Sequence, residues 1–173
     1  MLNARIETLK SEYSDLTQFL KDNNQISFVL YINDNYKKTL LLSVASYFET
    51  TITDTIVNYA KYCSNGDDKI VALIEGKTLK RQYHTLFNWE SQNANTFLSL
   101  FGEKAKDSAR KRLQEKDLLD AEKAFLSLGS QRNKLVHRNY IETIIESTFE
   151  EIYSQYILAC KFVQFIQEML PNE

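Results

Sequence analysis

The sequence has few residues that interrupt helices, with one Pro and 4 Gly among 173 residues. Pro breaks a helix interior and Gly weakens it, so this scarcity favours helices with short connections over a β fold with many turns. The single proline, Pro171, lies almost at the end of the chain. With 43% hydrophobic and 25% charged residues, the composition excludes wholesale disorder and predicts one globular domain over residues 1–173.

The sequence also lacks the patterns of zinc-binding, secreted and membrane proteins. Its two cysteines, Cys63 and Cys160, lie far apart with no Cys-x-x-Cys pattern, so zinc is not expected. Both fall on apolar helical stripes, which predicts reduced packing residues. No apolar run approaches the length of a membrane span, and residues 1–7 have no apolar core of the kind that a secretory signal needs. We therefore expect a cytoplasmic protein with no membrane association and no cofactor.

Charge is unevenly distributed along the chain. The formal net charge is −2, but residues 77–138 hold 13 Lys and Arg against 7 Asp and Glu, while both flanking segments are acidic. We expect a phosphate-rich partner to bind the middle of the chain. The alternative is a set of solvated helix faces, which is the better interpretation of any single run of lysines.

The amino-terminal third shows helical periodicity. Apolar residues at three- and four-residue steps predict a helix over residues 3–22. Residues 26–32 form an apolar run that fits either a strand or a helix, and Asn33-Asp34-Asn35 is predicted to break or bend the chain after it. A long helix is predicted over residues 36–64. Its buried stripe would consist of Leu41, Ala45, Phe48, Ile52, Ile56, Tyr59 and Cys63.

The middle of the chain is predicted to contain shorter elements. Asn65-Gly66 is a candidate C-cap, and Asp67 is predicted to start a short helix that ends near Glu75. Residues 77–116 are predicted to form short helices and loops, an insertion that decorates a bundle.

The carboxyl-terminal part returns to long helices, at residues 117–136 and from about 148 to 170. The second of these has a candidate capping box, either Ser147 with Glu150 or Thr148 with Glu151. The economical architecture is an all-α antiparallel helical bundle.

One segment, residues 130–140, carries residues suited to phosphate chemistry. Arg132 is a permanently charged fork that binds phosphate oxygens, and His137 belongs to the residue type that gives or takes a proton near neutrality. Together they are the minimum equipment for cleaving a phosphodiester without a metal. RNA supplies its own nucleophile, the 2′-hydroxyl. The enzyme must only remove its proton, stabilise the pentacovalent phosphorane and protonate the leaving 5′-oxygen.

The spacing of this pair constrains how the two side chains meet. Five residues of regular helix leave them about 140° apart around the axis. They converge on one phosphate only if the helix bends or ends between them, or if a second subunit completes the site. A second subunit also answers a chemical need, because one histidine cannot readily hold both proton roles. Alternatively, Arg132 and His137 are ordinary polar residues at a helix end, where cations suit the helix dipole.

The layout resembles the HEPN family, most closely its RiboL-PSP-like branch. The resemblance covers roughly residues 36–170: a long helix with an acidic residue, a basic insertion, and Arg132-Asn133-Lys134-Leu135-Val136-His137 before a final long helix. The family signature is Arg, four to six residues, then His, with a polar residue directly after the Arg. Arg132, Asn133 and His137 match it position by position.

The resemblance implies a HEPN-type helical bundle, commonly a homodimer that brings two Arg/His pairs into one cleft. It implies a metal-independent endoribonuclease, often in toxin–antitoxin or antiviral settings, with an antitoxin or regulatory protein as a further partner. Cleavage by the 2′-hydroxyl would leave a 2′,3′-cyclic phosphate. Some family members have lost catalysis and only bind nucleotides or partners.

Further residues are candidates for supporting or RNA-binding roles. Asn133 would orient His137 or the phosphate, and is otherwise an exposed or C-capping residue. Glu49 lies at the edge of an apolar stripe, where a carboxylate needs a partner; Arg132 or His137 is the hypothesis, and a boundary charge that reaches solvent is the alternative. The candidate RNA contacts, otherwise surface charges, are Lys104, Arg110, Lys111, Lys134 and Arg138.

Three functions are open from the sequence. The preferred one is a dimeric HEPN-type ribonuclease with Arg132 and His137 as the catalytic pair and Asn133 assisting. The second is a non-catalytic HEPN-like module that binds a nucleotide or a partner protein in the same cleft. The third is a plain helical interaction protein in which the motif is coincidental.

Overall fold

The computed structural model describes residues 2–137, 140 and 142–171, and these ranges contain seven α-helices and no strand. The helices are α1 (Ala4–Asp22), α2 (Ile26–Cys63), α3 (Asp68–Ile74), α4 (Asn95–Ser99), α5 (Glu103–Glu115), α6 (Leu119–His137) and α7 (Phe149–Met169). A π-helical turn (Glu75–Leu79) and a 3-10 turn (Tyr83–Thr85) lie between α3 and α4. The predicted all-α class is confirmed. No helix in these ranges is long and apolar enough to cross a membrane.

The four long helices α1, α2, α6 and α7 form the bundle. Phe125 of α6 lies between Phe48 of α2 and Phe162 of α7, with ring centroids 5.6 and 5.3 Å away. All three rings are buried. α1 closes the bundle against α7, where the Tyr153 hydroxyl donates to Glu7 Oε2 (2.7 Å). Burial of these aromatic rings supplies much of the hydrophobic stabilisation.

The second helix corrects the prediction for its first ten residues. α2 is one continuous helix of 38 residues, so the ambiguous run over 26–32 is helical and the break predicted at Asn33-Asp34-Asn35 is wrong. The polar side chains of Asn33 and Asp34 find partners while the backbone of α2 stays helical. The Tyr13 hydroxyl donates to Asn33 Oδ1 (3.0 Å), and Asp34 pairs with Lys38 one turn later (2.8 Å). Asn35 Nδ2 donates to the Tyr31 carbonyl four residues earlier (2.8 Å), a bond that a continuous helix accommodates.

The predicted helix boundaries agree closely with the structure elsewhere. Asn65 and Gly66 follow α2 with φ of 52° and 81°, and Asp67 caps α3. Of the two candidate capping boxes, Thr148 with Glu151 is the one that forms. The cysteine prediction holds only in part. Both cysteines are free, but Cys63 is exposed at the end of α2 because the buried stripe has rotated away from it there.

The insertion around residues 77–116 contains short helices and loops as predicted, but it does not merely decorate the bundle. Phe87 stacks on Phe97 (4.6 Å) and also packs edge-on against Phe125 of α6 (5.0 Å). The carboxylate of Glu122 on α6, 1% exposed, accepts from the Ala94 backbone N–H (2.7 Å). The segment is therefore part of the hydrophobic core, and it builds one wall of the pocket described next.

Candidate functional site

The residues of the Arg-x4-His motif lie in the last two turns of α6. Arg132 and Asn133 are half-buried, and His137 is exposed as the last residue of the helix. Arg132 Nη1 donates a hydrogen bond to Asn133 Oδ1 (3.1 Å). Asn133 is therefore neither a C-cap nor a freely solvated side chain, because its amide oxygen holds the guanidinium in place.

Glu49 of α2 faces the same guanidinium. Its Oε2 lies 3.9 Å from Arg132 Nη2, with the two side chains 43% and 32% exposed respectively. Of the partners considered for Glu49, the structure places Arg132 beside it. A long, partly exposed pair of this kind contributes at most about 1 kcal/mol to stability. The guanidinium therefore keeps N–H donors available for a second anion.

A pocket opens where α2, α6 and the insertion meet. Its polar lining consists of Glu49, Tyr83, His84, Arg132 and Asn133, and its apolar lining includes Phe48, Phe125 and Trp89. The space inside the pocket is about 20 Å³, room for roughly one water molecule. The side chains of Arg132 and Glu49 are also partly exposed, so a larger ligand can contact them from solvent.

One wall of the pocket depends on the absence of a side chain on α6. A Cβ placed on Gly129 would lie 2.0 Å from an atom of the Trp89 ring, so the indole rests directly against the helix backbone. Trp89 Nε1 donates to the His84 carbonyl (2.8 Å), which ties the indole to the 3-10 turn. Gly129 thus lets the insertion close over α6 beside Arg132.

The phenol of Tyr83 lies next to the charged pair. Burial raises the pKa of Tyr83, the Glu49 carboxylate raises it further, and the Arg132 guanidinium opposes both effects. The phenol therefore stays protonated near neutral pH and is available for hydrogen bonding rather than as a base.

His137 does not line this pocket. On regular helix geometry it lies about 140° around α6 from Arg132, although only about 40° from Asn133. α6 is continuous through His137, so no bend within the described helix brings the imidazole back towards the guanidinium. Within this one chain, the pocket therefore contains Arg132 and Asn133 but not His137.

Comparison with known proteins decides the family. The family model described as RiboL-PSP-HEPN matches residues 7–172, nearly the whole chain. The chain belongs to this HEPN family. No curated protein and no solved structure matches the chain. The match begins at residue 7, well before the 36–170 layout from which the resemblance was drawn, so it also covers most of α1.

The basic residues predicted to bind RNA do not form one cluster with the HEPN motif. Lys134 faces a separate groove on the other side of α6, shared with residues 142–147. Lys104 and Lys111 are exposed on α5, and Arg110 on the same helix pairs with the buried carboxylate of Glu122. Arg138 lies outside the described residues. Among these, Lys104 and Lys111 are placed as surface charges, whereas Arg110 has a structural partner.

Two lysines of α2 contact the segment that follows the motif, and no sequence pattern predicted these contacts. Lys38 is 3% exposed, and its Nζ pairs with Asp34 and donates to the Tyr140 carbonyl (3.2 Å). Lys37 Nζ donates to the Ile145 carbonyl (2.7 Å). These contacts anchor the chain just beyond His137 to the long helix.

Within the described ranges, no three His, Cys, Asp or Glu side chains cluster closely enough to hold a metal ion. No sequence pattern predicts a catalytic role for His84, Tyr83 or Gly129. Tyr83 and His84 are 45 or more positions away from Arg132 in the sequence, and Gly129 has no side chain. Only the packing of the insertion onto α6 brings them together.

Proposed function

We propose that this HEPN protein is a metal-independent endoribonuclease that cleaves RNA by attack of the 2′-hydroxyl on the adjacent phosphorus. The observation that carries the proposal is the pocket in which the motif residues Arg132 and Asn133 meet Glu49 at a mouth open to solvent. This is a preorganised, partly desolvated cation of the kind that binds a phosphate and its transition state.

Each motif residue has a role in this reaction. Arg132 neutralises the charge that builds on the non-bridging oxygens of the phosphorane. Asn133 and Glu49 fix the guanidinium, and His137 transfers a proton. The products are a 2′,3′-cyclic phosphate and a 5′-hydroxyl.

The active form in this proposal is a homodimer with a composite site. The support is geometric: His137 lies outside the pocket that contains its own Arg132. A strand lying across the mouth would meet the partner subunit's His137. Lys104, Lys111, Lys134 and Arg138 are proposed to contact the RNA backbone, while Arg110 is committed to Glu122.

The biological setting that fits such an activity is a cytoplasmic toxin or antiviral defence effector. An unrestrained ribonuclease damages its own cell, so we propose that an antitoxin or regulatory protein controls it. A small adjacent gene whose product neutralises toxicity would support this setting.

The alternative function is a non-catalytic HEPN module that binds a nucleotide or a partner protein. The observation in its favour is the same separation of His137 from the Arg132 pocket, since recognition of an anion needs the guanidinium but no proton transfer. The two functions differ in whether RNA is cut.

The proposal is tested by incubating labelled single-stranded RNA and transfer RNA with wild type and His137→Ala in EDTA. We expect wild type to cleave both RNAs in EDTA and to leave DNA of the same sequence intact. We expect His137→Ala to lose at least about 100-fold in rate, with an unchanged circular dichroism spectrum. Undiminished cleavage by His137→Ala removes this mechanism, and uncut RNA with nucleotide binding favours the alternative.

A further inference from the structure

The chain contains two histidines, and the one outside the motif lies in the pocket. His84 lines the same space as Arg132, Asn133 and Glu49, whereas His137 does not. The described pocket therefore already combines a forked cation, an amide, a carboxylate and an imidazole within a single chain. His84 is 48 positions from Arg132 in sequence, so nothing in the motif points to it.

The turn that carries His84 is well fixed. The Leu86 backbone N–H donates to the Tyr83 carbonyl (3.1 Å), and the indole of Trp89 donates to the carbonyl of His84 itself (2.8 Å). On the inner side, Tyr83 is close enough to Glu49 and Arg132 for both charges to influence its phenol. The backbone of His84 is thus held from both sides, while the residue itself remains exposed to solvent.

Trp89 competes for a role in RNA binding but is not placed for it. Its ring lies against the Gly129 backbone and packs with Phe87 (5.0 Å), Tyr83 (5.9 Å) and Phe125 (5.7 Å). These contacts commit the half-buried indole to the wall of the pocket. His84, by contrast, is exposed and lines the same pocket.

We propose that His84 is a catalytic residue, and that each site combines Arg132 and His84 of one subunit with the partner subunit's His137. The inference rests on the proposed ribonuclease function. It answers the chemical difficulty that one imidazole cannot both accept and donate a proton in the same step.

The imidazoles of His84 and of the partner subunit's His137 account for both proton transfers of the reaction. A neutral imidazole takes the proton of the 2′-hydroxyl as that oxygen bonds to phosphorus. The bond from phosphorus to the 5′-oxygen then breaks, and the protonated second imidazole gives its proton to the leaving oxygen. Exchange with water restores both histidines, so no metal, oxidant or other reactant is consumed.

The first test is a set of single substitutions assayed on the same RNA. We expect His84→Ala and His84→Gln to lower kcat by about 100-fold or more with little change in KM, since a proton-transfer residue acts mainly in the transition state. The matched control is Gln82→Ala, an exposed position at the start of the same turn that does not line the pocket. Circular dichroism and thermal melting verify that each variant is folded.

An RNA with sulfur in place of the bridging 5′-oxygen identifies the acid. A thiolate leaves without protonation, so this substrate should restore cleavage to whichever histidine variant has lost the general acid and not to the other. Rescue of one variant supports two distinct proton roles. Rescue of neither, with His84→Ala as active as wild type on ordinary RNA, overturns the inference.

The second test is coexpression of differently tagged variants and purification of the mixture. In a twofold dimer that pairs a His84→Ala subunit with a His137→Ala subunit, one of the two sites is complete. Random mixing makes about half of the dimers of this kind, so about a quarter of wild-type activity should return. His84→Ala with Arg132→Ala should restore none, because both residues belong to the same pocket. The reverse pattern overturns the assignment.

The two proposals fail in different ways. Wild type that does not cleave RNA removes the ribonuclease function and the role of His84 together. Wild type that cleaves, with His137→Ala inactive and His84→Ala fully active, removes only the role of His84.

Discussion

At the scale of single residues, the candidate site depends on small differences in shape and position. Arg132 and His137 are five positions apart on one helix, yet only the first lines the pocket. Asn133 and Glu49 hold the guanidinium at 3.1 and 3.9 Å without burying it. Gly129 allows the Trp89 wall to form because it carries no side chain. The shape of the site on this face of α6 therefore depends on the absence of a Cβ at Gly129.

Gly129→Ala is predicted to displace the indole and disturb the pocket. A Cβ at this position meets the ring at 2.0 Å, so either Trp89 or the backbone must move. Overpacking of this kind costs about 1–3 kcal/mol of unfolding free energy, measurable by urea denaturation. Trp89 is the only tryptophan, so its fluorescence should shift to longer wavelength as it becomes exposed to water.

The matched control is Gly76→Ala, where an added Cβ meets nothing within 4 Å. It should leave the fluorescence and the pocket unchanged. An unshifted spectrum in Gly129→Ala would contradict the role assigned to this glycine.

At the scale of elements, the amino-terminal half of α2 holds the segment that follows His137. Asp34, Lys37 and Lys38 form a connected group on this helix, and both lysines donate to carbonyls beyond the motif. Burial acts to raise the pKa of Asp34, but hydrogen bonding and charge from Lys38, with Lys37 assisting, hold it below its ordinary value of 3.8. Asn33 and Asp34, which suggested a helix break, therefore support contacts between α2 and neighbouring segments.

Asp34→Asn is predicted to destabilise the protein in a pH-dependent way. A carboxylate whose pKa is lowered by folding contributes stability above its unfolded pKa, and that contribution is lost as pH falls through the folded value. The variant should be less stable than wild type at pH 7 by about 1 kcal/mol, since the carboxylate is partly exposed. The difference should shrink as the pH falls below the ordinary carboxyl value of 3.8, as followed by thermal melting.

Asp54→Asn, at an exposed acidic position on the same helix, is the control and should match wild type at every pH. A constant gap between wild type and Asp34→Asn across the pH range would show that Asp34 acts through packing and not through its charge.

At the scale of the whole molecule, the sequence predicted the architecture better than the site. Apolar periodicity and the scarcity of Pro and Gly predict the long helices, because burial of one helix face is a local pattern. The continuity of α2 through Asn33 was missed, since its compensating bond comes from Tyr13 on another helix. The pocket was only half predicted for the same reason: Arg132 and Asn133 belong to a local motif, whereas His84 and Trp89 arrive by tertiary packing.

The arrangement of the helices also determines which of the candidate residues share one pocket. The pocket is lined by Arg132, Asn133, Glu49 and His84, whereas His137, one turn beyond Asn133 on α6, does not line it. In the proposed homodimer neither subunit is sufficient by itself. The twofold symmetry of that assembly would bring the partner subunit's His137 to the phosphate.

Arg132 and His137 are proposed to promote attack by the 2′-hydroxyl of RNA on the adjacent phosphorus. The chemical ends of the cleaved strand test this proposal most directly. A defined oligoribonucleotide cut by the wild-type protein in EDTA should yield a 2′,3′-cyclic phosphate and a 5′-hydroxyl, read by mass spectrometry. A single 2′-deoxy substitution at the cleaved position should abolish the cut there. A 3′-hydroxyl with a 5′-phosphate, or cleavage that survives the 2′-deoxy substitution, would contradict the account.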